Sequence, residues 1–227
     1  MTSNPPPPAP TSGHARIAGA VGLLRSVPGS IGLALGVLSV SLARFLLPAA
    51  DHPDFARMIT YRGRDLTHLR PGLLWRLPLS AFCAHSVADL LWTLSICATA
   101  FVLLERRLGT AGLLAVTVSA HVVSTVSVDL NAAANDWHSW LMVRDYGTSC
   151  LVMGAFGALL LATRSRWLLV GVLVIAAVDL RINSPMTISE HVIAFGTGAF
   201  VFAVQSLRLP SWLRTPIFAF ERSGRAD

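Results

Sequence analysis

The 227-residue chain (24.3 kDa) is 53% hydrophobic and 13% charged, with a mean hydropathy of +0.60. A soluble domain carries about 25% charge, and half that level cannot cover a water-soluble surface. A soluble enzyme, a collagen-like chain and a disordered chain are thereby excluded. The net charge of +6 comes from 18 basic residues, all of them arginine. They stand in pairs between apolar stretches and form no stripe, which excludes nucleic acid as a partner and reads as membrane topology. Three cysteines make no disulfide framework. What remains is an all-α polytopic membrane protein.

In chain order, residues 1–15 are rich in Pro, Ser and Thr, with four consecutive prolines, and predict a disordered tail. Residues 16–27 predict a short interfacial helix, with Ile17, Val21 and Leu24 on one face and Arg16 and Arg25 at its ends. No cleavable signal peptide is expected, because the proline tail comes first. Six apolar segments follow, at 30–47, 79–104, 110–130, 148–162, 167–178 and 188–207. The fourth and fifth are close enough to form a tight hairpin. A long polar loop, 49–78, separates the first two and carries Asp51, Asp54, Arg57, Arg62, Arg64, Asp65, Arg70 and Arg76; a loop of that length usually has a function or structure of its own. The expected organisation is a cytoplasmic tail at 1–27, a six-helix transmembrane domain at 28–208 and a cytoplasmic tail at 209–227.

Six spans put both termini on one side. That side collects Arg16, Arg25, Arg106, Arg107, Arg164, Arg166, Arg208, Arg214, Arg222 and Arg225 against Glu105, Glu221 and Asp227. The positive-inside rule assigns it to the cytoplasm. The expected location is a bacterial plasma membrane.

Ionisable residues inside spans are costly and by default suggest function. The candidates are His85, Asp89, Glu105, His121, Asp179, Glu190 and His191. In the six-span topology Ser149 and His191 both fall just inside the outer ends of their spans, the depth match a Ser–His pair needs. His85 and Asp89, four residues apart, are expected on one face of the second span. A serine hydroxyl needs a base to become a nucleophile, and histidine suits that task near neutral pH. Gly147-Thr148-Ser149-Cys150 is expected to open a helix whose free amides could hold an oxyanion. Gly154 and Gly157 below Ser149, and Ala194 and Gly198 below His191, give two small faces that let helices approach closely. Blander readings apply elsewhere. His121 reads as a helix–helix hydrogen-bonding residue, and Glu105-Arg106-Arg107 as an interfacial anchor and ion pair. Asp179 with Arg181 reads as a loop-end pair, and Cys83, Cys97 and Cys150 as small apolar fillers without metal spacing.

Taken in order, these residues resemble the rhomboid intramembrane serine proteases, from about Trp75 to Val204. The resemblance rests on Leu74-Trp75-Arg76-Leu77 before the second span and Glu105-Arg106-Arg107-Leu108-Gly109 at its end. It continues in Gly147-Thr148-Ser149 opening the fourth span, and in His191 with Ala194 and Gly198 in the sixth. It implies a six-transmembrane-helix rhomboid-like bundle with a Ser149–His191 dyad and no metal or cofactor. The oxyanion would rest on amides near Gly147, Ser149 and Cys150. Where the family has a His and an Asn assisting the oxyanion, this chain has Asp89 and Thr93, with His85 one turn away; Met153 stands where an aromatic residue is common. The supporting shell is altered, and loss of one oxyanion donor costs about 10²–10³ in rate.

Three functions follow as expectations. The first is an intramembrane serine endopeptidase cleaving transmembrane segments. The second is a rhomboid-fold protein that binds transmembrane helices without cleaving them. The third is a small transporter using His85, Asp89 and His121. The first two imply transmembrane proteins as substrates or clients and the lipid bilayer as surroundings.

Overall fold

The computed structural model describes residues 26–47, 60–68, 70 and 72–208. The proline-rich head, all but the last two residues of the expected interfacial helix, and the C-terminal tail lie outside the described residues.

Helix α1 spans Pro28–Leu46, with proline in its first turn and no acidic residue there to meet the exposed amides. The first loop then builds a short strand β1 (Tyr61–Arg62), helix α2 (Gly63–Thr67) and helix α3 (Leu73–Ser80). Helix α4 (Val87–Ile96) passes through a π-helical turn at Cys97–Phe101 into α5 (Val102–Ala134). A one-turn helix α6 (His138–Leu141) and strand β2 (Arg144–Asp145) lead to α7 (Thr148–Thr163), α8 (Arg166–Ile182) and α9 (Pro185–Arg208). The two strands pair antiparallel, Tyr61 opposite Asp145 and Arg62 opposite Arg144. This small ladder interrupts the all-helical expectation and ties the long first loop to the segment before α7.

Among the described residues, three helices are long and apolar enough to cross a membrane: Pro28–Leu46, the 48-residue run Val87–Ala134, and Pro185–Leu207. The long run is two helices joined at Gly109, whose φ of 74° and ψ of 171° break the helical path. Left-handed φ values cost glycine little, since it has no Cβ. The second apolar segment was expected to begin at 79. The chain instead forms α3, turns, and restarts at Val87, because Ser86 caps the new helix by accepting the Asp89 amide at 3.1 Å. His85 therefore lies outside the helix, and the expected shared helical face of His85 and Asp89 does not form. The fifth segment, expected at 167–178 with extension into its flanks, runs over Arg166–Ile182, capped by Ser165 at the Leu168 amide.

The core centres on α7. Of its 16 residues, 13 are buried, from Thr148 to Thr163. A Cβ on Gly198 would collide with the Gly154 carbonyl, one on Gly157 with the Phe195 carbonyl, and one on Gly154 with the Ala120 methyl. Backbone-to-backbone approach of this kind requires glycine, and it locks α7 against α9 and α5.

Candidate active site

The site is built at the N-terminal end of α7. Gly147 is the N-cap of that helix, and its amide donates to the Ser80 carbonyl at 2.9 Å. A side chain at this position would strike the His121 ring. His121 is fully buried on α5, with Nε2 2.8 Å from the Leu77 carbonyl and 3.2 Å from Ser80 Oγ. Ser80 Oγ also reaches Asp145 Oδ2 at 3.1 Å, and Thr125 Oγ1 reaches the same oxygen at 3.4 Å. His121 thus joins α3, α5 and β2 directly beneath the turn that opens α7. It acts as the helix–helix hydrogen-bonding residue the sequence suggested.

Ser149 is the second residue of α7 and is half-buried. The first amides of a helix have no carbonyl one turn back. Among them, the Cys150 N–H is already committed to the Gly147 carbonyl at 3.1 Å. This corrects the expectation that Cys150 would supply an oxyanion donor; the Ser149 amide is the better placed of the two.

His191 lies in the second turn of α9 and is 7% exposed. Its Nδ1 is 2.8 Å from Asp179 Oδ2 on α8. A carboxylate only accepts, so this contact places a proton on Nδ1, and in the neutral imidazole Nε2 then carries the lone pair. Nε2 is buried and without a partner, and no hydrogen bond joins it to Ser149 in this structure. Asp179 is itself 8% exposed, and Asn183 Nδ2 donates to its other oxygen. The expected loop-end pair of Asp179 with Arg181 is therefore corrected: Asp179 faces His191 across the α8–α9 turn. Sequence spacing gave no sign of this, because the two residues are on different helices and meet only through the hairpin.

Ser149 and His191 are brought to the same end of two interlocked helices. Gly154, five residues along from Ser149, touches the α9 backbone at Ala194 and Gly198, and Gly157 touches it at Phe195 and Ala199.

Asp89 and Thr93 sit differently from each other. Asp89 Oδ2 accepts from Thr148 Oγ1 at 2.9 Å and from the His85 amide at 2.9 Å. It pins the start of α4 to the start of α7, one residue from Ser149, as an acceptor. Thr93 is fully buried, and its hydroxyl has no partner. His85 is exposed and stacks edge-on against Tyr146, with centroids 5.1 Å apart. Asp89 is thus bonded to His85 through the His85 amide, whereas His121 bonds to Leu77 and Ser80. Met153 is 8% exposed in the core.

The remaining motif residues lie away from Ser149. Glu105 is 2% exposed, and its carboxylate accepts from the Gly29 amide, the Ser30 amide and the Ser30 hydroxyl, each at 2.7 Å, and from Thr110 Oγ1. The expected ion pair with Arg106 or Arg107 is not what holds it; Glu105 caps the N-terminus of α1. Arg107 lies over the Phe202 ring at 5.8 Å. Trp75 is 43% exposed, with Arg76 over its ring at 5.3 Å. All three cysteines are free and buried. Burial pushes the Cys83 thiol, in the turn before α4, up to about 11, which keeps it protonated and inert. Among the described residues no cluster of His, Cys, Asp or Glu is arranged to hold a metal ion. No family model and no curated protein sequence matches the chain.

Proposed function

We propose that this protein is an intramembrane serine protease of the rhomboid type, a six-span bundle in which Ser149 is the nucleophile and His191 the base. The observation that carries the reading is His191. Its Nδ1 is anchored by Asp179 at 2.8 Å, and its buried Nε2 is unpartnered, at the end of the helix interlocked with the one that begins at Ser149. A histidine held by a carboxylate on one nitrogen and open on the other is a general base awaiting a proton. The six-span topology takes Val87–Ala134 as two crossings bent at Gly109 and counts α7 and α8 as crossings, with both termini cytoplasmic.

In the proposed reaction Ser149 Oγ attacks the carbonyl of a peptide bond in a transmembrane segment, and Nε2 takes its proton. The tetrahedral oxyanion rests on the Ser149 amide at the positive end of α7. Nε2 then protonates the leaving amine, and water releases the acyl group by the same steps in reverse. The chemistry calls on no metal or cofactor. Its test is labelling of the full-length protein in detergent and in liposomes with a fluorophosphonate probe. The wild type should label, while Ser149→Ala and His191→Ala should not. Equal labelling of wild type and Ser149→Ala would refute the assignment.

A second reading is favoured by Asp89. An acceptor bound to Thr148 stands where the resemblance would put a donor, and Thr93 is sequestered. On this reading the bundle binds transmembrane helices without cutting them. Its signature is a wild type that labels no faster than Ser149→Ala, with labelling appearing once Asp89→His and Thr93→Asn are combined.

A further inference from the structure

A polar concavity lies on the first loop, apart from Ser149. A cavity of about 310 Å³ is lined by Arg62, Arg64, Asp65, Arg70, Arg76 and Arg144. Five guanidiniums thus face one carboxylate. That carboxylate is already shared, at 3.8 Å from Arg70 Nε and 3.8 Å from Arg76 Nη1. Arg62, Arg64 and Arg144 have no acidic partner among the described residues; the Arg64 side-chain contact is to Met142 Sδ at 3.5 Å.

The strand ladder sharpens the imbalance. Arg62 and Arg144 are direct register partners in the β1–β2 pair. Like charges directly opposite on paired strands destabilise the pair. A two-residue ladder has little else to offset that cost. In addition, Arg64 Nε and Arg76 Nε are buried without hydrogen-bond partners. A pocket that concentrates positive charge, opposes two arginines across a ladder and leaves buried guanidinium donors open lacks an anion. Guanidinium forks match the paired oxygens of phosphate, and such charge-assisted bonds are the strong ones.

We infer that the Arg62–Arg144 pocket binds a phosphate-bearing anion. The neighbourhood supplies both routes by which one could arrive. Trp75 and Trp137 are exposed nearby in the chain, as aromatic residues are at the headgroup level of a bilayer, so an anionic lipid headgroup is one source. Free phosphate or pyrophosphate in solution is the other. Binding would neutralise the ladder and hold β2, which leads through Asp145 into the Ser80–His121 junction and on to Gly147. The inference does not depend on the protease reading.

The test measures the thermal midpoint and the binding isotherm of the full chain in neutral detergent with inorganic phosphate and with pyrophosphate. A parallel arm uses nanodiscs of phosphatidylglycerol and of phosphatidylcholine. The expected result is stabilisation by at least one anion. Binding should be at least tenfold weaker in the Arg62→Gln/Arg144→Gln double variant and unchanged in Arg106→Gln, an exposed arginine outside the pocket. Stabilisation by pyrophosphate in detergent identifies a soluble source, and stabilisation only by phosphatidylglycerol identifies a headgroup. A wild type indifferent to every anion, or a double variant that responds as the wild type does, overturns the inference. Arg144→Gln alone should be at least as stable as wild type in anion-free buffer. A lower midpoint there would mean that the ladder arginines are already satisfied, which also overturns it.

Discussion

Helices α7 and α8 are consecutive, nearly equal in length and similarly apolar, yet they are buried to opposite extents. In α7, 13 residues are buried; in α8 only Val172 and Asp179 are. Leu169, Val170, Leu173, Val174 and Val178 of α8 are all exposed. Lipid solvates leucine and valine as well as protein does, so apolar composition does not decide which helix goes inside. Small residues do. Gly154 and Gly157 sit where a Cβ would strike α5 or α9, whereas a Cβ on Gly171 of α8 would meet nothing. One helix is fixed by shape. The other is held at its C-terminal end by a polar contact, Asp179 with His191.

That difference can be broken at four places. The largest expected effect is at the polar tether. Asp179→Asn should slow fluorophosphonate labelling of Ser149 by about 10²–10⁴-fold, as loss of a histidine-orienting carboxylate does in serine hydrolases. The loss should fall on the maximal rate, with the half-saturating probe concentration little changed and Asp179→Glu recovering part of the rate. An equal fall in all three measures would reduce Asp179 to a packing residue. Next is the shape-fixed helix: Gly157→Leu should cost about 1–3 kcal/mol or more from overpacking, read as a lower thermal midpoint in detergent. A smaller cost follows at the α1 clasp, where Glu105→Gln should lose about 1–2 kcal/mol by replacing charge-assisted bonds with neutral ones. The smallest effect is the counterpart of Gly157. Gly171→Leu should be neutral, or stabilising by up to about 1 kcal/mol through helix propensity; a strongly destabilised variant would mean that α8 is packed after all.

Part of the architecture around the candidate site is legible in the sequence. The shortage of charge announces the membrane. Gly147 marks the start of the helix that carries Ser149, and the glycine and alanine spacing marks the faces along which α7 and α9 meet. The break at Gly109 is visible because glycine follows an acidic and basic turn. The start of α4 also carries a signal, Ser86 followed by Asp89 as a capping signature, which the apolar residues on both sides of it obscure. The Asp179–His191 pair and the Arg62–Arg144 ladder belong to another category. Each joins segments whose meeting is set by a turn or by tertiary packing, and periodicity within one element carries no information about that. Glu105 was misjudged for the same reason, since its partners lie 75 and 76 residues earlier.

That last separation has a consequence in time. The amides of Gly29 and Ser30 open α1, and the carboxylate that accepts from them is Glu105. Synthesis proceeds at about 5–20 residues per second, so helix α1 is made roughly 4–15 s before its cap. During that interval its leading amides have water, headgroups or the translocation machinery as partners. Helix α1 can enter the membrane early, but the bonds from its leading amides to Glu105 form only after that residue has been made.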